Sequence, residues 1–233
     1  MNGIGDGRDA LRAGTVGGVN PDHLLLERPS WRGVLHSWAF FASIPAGILL
    51  IVFAGTAAGR AAAAIYTGTL LLVFGTSASY HRLAQSLRAR AIMQRLDHSM
   101  IYLLIAGTYA PLCLVALPLA WGIPLLATVT VIGLAGIVIK LTPIRRLQGL
   151  GYALYPIMGW AAVVAAPALA TSLTTTQLAL VFGGGIAYTI GFPVLLLKRP
   201  DPWPRSFGYH EVWHGFTVLA ATLHFGAVAT VVA

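Results

Sequence analysis

Seven stretches of about 20 apolar residues, separated by short connectors rich in Gly, Pro or basic side chains, set the plan of this chain. They run from Val34 to Gly55, Ala61 to Leu83, Leu96 to Leu117, Ile123 to Ile139, Gly151 to Ala170, Leu178 to Leu197 and Tyr209 to Val232. Each is long enough to cross a bilayer as a helix, and none alternates polar and apolar residues as a membrane strand does. The pattern therefore predicts an all-α membrane protein with seven transmembrane helices. Pro111 inside the third stretch predicts a kink, because proline lacks the N–H that a helix interior needs and crowds the preceding turn. Gly183, Gly184, Gly185 and Gly191 in the sixth predict close approach of a neighbouring backbone. Thr171–Thr176 and the Lys198–Arg205 segment read as polar connectors.

Composition agrees with that plan. Hydrophobic residues make up 57% of the chain and charged residues only 9%, against about 25% charge in a soluble domain. The net charge of +8 would suit nucleic acid if it formed a patch, but the basic residues lie in the gaps between apolar stretches, so no nucleic-acid partner is expected. Counted by gap, an internal N-terminus leaves only Arg60 of the 15 Lys and Arg outside. The excess of positive charge on the inner side predicts a cytoplasmic N-terminus and an extracytoplasmic C-terminus in a plasma membrane. The single cysteine, Cys113, excludes a disulfide framework and a thiolate metal cluster. Residues 1–26, Gly-rich and without an apolar core, read as a mobile cytoplasmic tail before a transmembrane domain over 27–233.

Ionisable groups are costly inside a bilayer and mark function or a packed polar network. His210 and His214 lie four apart and share one face of a helix, a spacing that lets two imidazoles hold one metal ion. His81 ends the second stretch and Asp97 begins the third, so with the histidine pair they fall within about 10 Å of the inner boundary. Ser77 shares the face of His81, one turn deeper. Three imidazoles at a common depth with a carboxylate beside them suit zinc with one position open, or else a hydrogen-bonded network tying three helices.

The run Ser77-Ala78-Ser79-Tyr80-His81, then Asp97, then His210-Glu211-Val212-Trp213-His214 resembles the signature of the progestin and adipoQ receptor family, most closely its bacterial hemolysin III branch. Leu96-Asp97-His98-Ser99, Ile105–Pro111, Tyr188–Gly191 and Phe207–His210 resemble that branch too. The resemblance implies seven membrane helices, an internal N-terminus, and Zn2+ held near the cytoplasmic face by His81, His210 and His214. It also implies kinship with alkaline ceramidases, and so hydrolysis of a lipid amide or ester. One feature departs: the family's eukaryotic members place a His seven residues after a Glu, whereas Glu27 and His36 are nine apart, so no role passes to either. His98 points about 100° away from Asp97 around the helix. His224, about 15 Å deeper than His214, reads as a packed histidine, and His23 lies on the tail.

Three functions follow from these residues. In the first, a zinc-dependent membrane hydrolase takes a membrane lipid as substrate, with Asp97 accepting a proton from the attacking water and Ser77 supporting the oxyanion. In the second, His210-Glu211-Val212-Trp213-His214 also reads His-Glu-x-x-His, which would make Glu211 the general base of an intramembrane protease. The third is a non-enzymatic cytolysin or receptor with a structural zinc. A cytolytic pore is disfavoured, because no apolar stretch carries a continuous polar stripe. Nothing in the sequence sets an oligomeric state.

Overall fold

The computed structural model describes residues 28–233; the expected tail at 1–26, His23 and Glu27 lie outside the described residues. Helix α1 spans Val34–Val52, α2 Ala57–Leu83, α3 Leu87–Pro111 and α4 Leu119–Leu141. Helix α5, Arg145–Trp160, continues through a 3-10 turn at Ala161–Ala165 into α6, Ala166–Ser172, and the three make one span. Helices α7, Thr175–Leu197, and α8, Tyr209–Val232, complete the bundle. Among the described residues, seven helical segments are long and apolar enough to cross a membrane. Their outward faces remain apolar, with Phe41, Ile48, Val131, Val138, Val164 and Ile190 all more than half exposed. In water such a surface would aggregate; in lipid it is the solvent-facing side.

Polar local signals extend several helices beyond the apolar stretches. Thr56 Oγ1 accepts from Gly59 N (2.9 Å) and starts α2 four residues before Ala61. Ser86 Oγ accepts from Ala89 N (3.1 Å) and starts α3 at Leu87, nine residues before Leu96. Asp97 therefore sits in the third turn of α3, not the first, and the basic turns ahead of it form a polar overhang. Arg95 of that overhang donates from Nη1 to the carbonyl of Leu141 (3.1 Å), satisfying an orphan acceptor at the end of α4.

At Pro111 the chain does not simply bend. The α-helix gives way to a π-turn at Leu112–Ala116 before Pro118 starts the next element, so the missing proline N–H is absorbed by a wider hydrogen-bond register. Of the four glycines in α7, two leave no room for a side chain against α8. A Cβ on Gly184 would collide with the His224 ring, and one on Gly191 would come within 2.6 Å of Phe216 Cβ. Gly183 and Gly185 meet no such obstacle.

Two apolar clusters hold the bundle. One joins α1, α2 and α8 through Leu50, Tyr66, Leu70, Phe74 and Val228. The other joins α3, α4 and the fifth span through Tyr102, Cys113, Val129, Met158 and Leu169. The buried tyrosines find acceptors: Tyr109 donates to the Met158 carbonyl (2.8 Å), and Tyr102 donates to that of Gly151. Lys140, almost fully buried, is caged by the Tyr152 ring (3.5 Å) and donates to the Gln148 carbonyl (3.3 Å). The start of α1, the end of α2, the first turns of α3 and the start of α8 meet at one end of this frame.

Candidate metal centre

At that end, His81, His210 and His214 converge, with one ligand atom from each lying within 4.8 Å of the others. His81 comes from the last turn of α2, and the other two from the first turns of α8. His81 Nε2 and His210 Nε2 are 3.2 Å apart. Asp97 of α3 is buried, and its Oδ2 is 4.0 Å from His81 Nε2. Ser77 Oγ, one turn before His81, adjoins the Asp97 carboxyl. A cavity of about 40 Å3, lined by Ser77, Asp97, His98, His210 and His214, lies among them, which is space for a water or two. Three neutral imidazoles and no thiolate make a donor set that could hold a metal ion.

His36, to which sequence reasoning assigned no role, joins this group. It lies in the first turn of α1, stacks on the His214 ring (3.7 Å between centroids, 11° between planes) and lines the same cavity. A lone histidine in an apolar stretch carries no spacing signal, and its partner is 178 residues away along the chain. His98 meets the Tyr152 ring edge-on (5.8 Å) and also borders the cavity. His224 is remote from the centre, with Nε2 3.0 Å from the Val181 carbonyl.

Glu211 does not face the centre's cavity. Its Oε1 pairs with Arg32 Nε, and its Oε2 accepts from Gly208 N (2.8 Å), capping α8. Both oxygens are thus engaged in fixing the helix that carries His210 and His214. Arg32 belongs to a strap, Arg28–Gly33, that crosses this end of the bundle. Ser30 N and Trp31 N donate to the carbonyls of Arg205 and Ser206 (3.3 and 3.1 Å). Arg28 Nη1 donates to the carbonyls of Tyr80 and His81 (2.9 and 2.8 Å). Partial burial moves the Arg28 guanidinium below its usual range. Gly33, at φ 80°, closes the strap against His81, where a side chain would be both strained and within 2.6 Å of His81 Cβ. Removing one partner of a buried ion pair leaves an uncompensated charge, so Arg32→Ala should destabilise the fold by about 3–5 kcal/mol. Thermal unfolding in detergent measures this; an unchanged midpoint would contradict the strap's role.

The seven-span helical bundle with polar chemistry confined to one end defines a multi-pass membrane protein with a candidate metal centre. Its sequence matches the family model described as haemolysin-III related over residues 25–225. It is 32% identical over 198 residues to a hemolysin-3 homolog of Bacillus subtilis (strain 168), covering 84% of this chain and 90% of that protein. It is 34% identical over 200 residues to hemolysin-3 of Bacillus cereus, covering 84% and 87%. The chain belongs to the haemolysin-III-related family, and with bacterial relatives it is an integral protein of a bacterial plasma membrane.

Proposed function

We propose that this protein is a zinc-dependent hydrolase of a membrane lipid amide or ester, with His81, His210 and His214 as zinc ligands and Asp97 as the general base. The observation that carries the reading is the junction of two cavities. The small one among the histidines adjoins a larger apolar one of about 330 Å3, and Ile101, Leu104, Tyr188, Leu195 and Trp213 line both. Ligand sites commonly span about 300–1,000 Å3. The larger cavity lies between α3, the fifth span, α7 and α8, and its lining includes Trp160, Phe182 and Ile186, each over 40% exposed on the lipid-facing surface. An apolar chain entering sideways from lipid would thus lie with its polar end at the histidines.

The donor set suits the metal. His81 Nε2 and His210 Nε2 lie 3.2 Å apart, and one ligand atom of each of the three rings lies within 4.8 Å of the others, so His81, His210 and His214 could together hold one zinc ion. When bound, zinc supplies a Lewis acid for the carbonyl and a water made nucleophilic at neutral pH. Asp97 Oδ2 accepts the proton of the attacking water and returns it to the departing amine or alcohol, so that water is added across the cleaved bond. Ser77 Oγ, beside the Asp97 carboxyl, donates to the oxyanion as it develops. The apolar walls exclude bulk water from this exchange. Glu211 is not assigned the base's part, because both its oxygens are held elsewhere.

The cytoplasmic leaflet is the proposed source of the lipid, from the bias of basic residues toward the connectors at this end. A reporter fused to the C-terminus should accordingly report from outside the cytoplasm; a cytoplasmic signal would overturn the orientation. A second reading, membrane lysis, follows from the relatives' names. Dye release from liposomes bearing the purified protein tests it, and no release is expected, since the outward faces are apolar. The experiment for the main reading is a screen of lipid amides and esters with zinc-loaded protein, where acyl release is expected and complete inactivity would overturn it.

A further inference from the structure

The metal-site reading leaves two rings, those of His81 and His214, without the support that ligand histidines ordinarily have, and the His214 ring alone has a flat neighbour among the described residues. Such rings are held in plane by a hydrogen bond from their second nitrogen to a carboxylate or carbonyl. His214 Nδ1 is buried and has no partner among the described residues. His81 and His210 approach the His214 ring obliquely, at 57° and 60° between planes. Among the described residues, only His36 lies flat against it, at 3.7 Å and 11°.

The His36 ring is itself tethered. Thr217, one turn beyond His214 on α8, has a single hydroxyl proton and donates it to the His214 carbonyl (2.8 Å). Toward His36 Nε2, 2.9 Å away, Thr217 Oγ1 can therefore only accept, so the proton of the neutral His36 ring is on Nε2. A closed circuit results, from the His214 carbonyl through the Thr217 hydroxyl and the His36 ring to the face of the His214 ring. The Phe74 ring, at 5.1 Å, packs against His36 as well.

We propose that His36 is a positioning residue that orients the metal-ligating ring of His214 by stacking, in place of the missing hydrogen bond. The inference rests on the reading of His214 as a ligand. It explains why an imidazole, costly in this apolar setting, stands at this position: it is flat enough to stack and polar enough to be tethered by Thr217. His36 touches neither substrate nor metal in this account and acts through His214 alone.

The test compares His36→Phe with His36→Leu in the full-length protein, titrated with zinc and with cobalt as a spectroscopic reporter. Phenylalanine keeps the flat face without the tether, whereas leucine fills the volume without a face. His36→Leu should weaken zinc binding by about 10–100-fold, the usual cost of losing a supporting group, and shift the visible absorption of bound cobalt. His36→Phe should recover most of that affinity and keep the native cobalt spectrum. Equal behaviour of the two variants would overturn the inference, because volume alone would then suffice; so would native affinity and spectrum in both. Failure of the unaltered protein to take up either metal would overturn the metal reading itself, and the reference titration shows that separately.

Discussion

Asp97→Asn is expected to lower hydrolysis by about 10²–10⁴-fold, the usual contribution of general acid–base catalysis, while fold and zinc remain. Asparagine keeps the shape of the side chain but cannot accept a proton at Oδ2. The carboxylate lies 4.0 Å from His81 Nε2 and lines, with His210 and His214, a cavity that has space for a water. Ser77→Ala should cost less, because water can replace a single hydroxyl donor in a cavity that already has space for it. The assay is turnover of a lipid amide or ester in proteoliposomes, with metal content measured on the same samples. Undiminished turnover in Asp97→Asn would remove Asp97 from the chemistry. If zinc instead served as a closed structural staple, an Asp97 oxygen would occupy the fourth position at about 2.0–2.2 Å, and Asp97→Asn would weaken metal binding directly.

The second large effect is loss of the metal. His81→Ala, His210→Ala and His214→Ala should each weaken zinc binding by more than the about 10–100-fold that loss of a supporting residue costs. The three contributions come from two helices far apart in sequence, so the metal would also tie α2 to α8. Metal analysis of the purified variants, alongside their thermal unfolding, separates loss of a ligand from loss of the fold. Full zinc retention in His81→Ala would leave α2 out of the site.

The bundle was legible in the sequence because a membrane span is written in length and hydropathy. All seven spans coincide with apolar stretches. What hydropathy does not show is where a helix continues in polar residues. The overhang from Leu87 to Arg95 is helical through the Ser86 cap and the Arg95 bond to Leu141, and neither raises the hydropathy of its segment. The 3-10 turn at Ala161–Ala165 lies between Gly159 and Pro167, whose missing N–H interrupts the α-helical ladder there, a signal that hydropathy does not register.

The candidate site was legible in the same partial way. His81, Asp97, His210 and His214 could be brought together by depth alone, since helical rise converts sequence position into height. Depth says nothing about direction around a helix. That is why the His-Glu-x-x-His reading of Glu211 stayed open until the structure turned that carboxylate toward Arg32 and Gly208. It is also why His36 went unassigned. Its place is set by packing of α1 on α8, a tertiary contact with no periodic trace in the sequence.

If this membrane-embedded histidine cluster makes a catalytic zinc centre, the protein cleaves lipids only while it holds the metal. The most direct test is release of fatty acid from a panel of lipid amides and esters by the purified protein in proteoliposomes, compared before and after metal removal. Turnover by the zinc-loaded protein, loss of that turnover on chelation and its return when zinc is restored are the expected results. Zinc-loaded, folded protein that hydrolyses no lipid amide or ester would contradict a catalytic role for the metal.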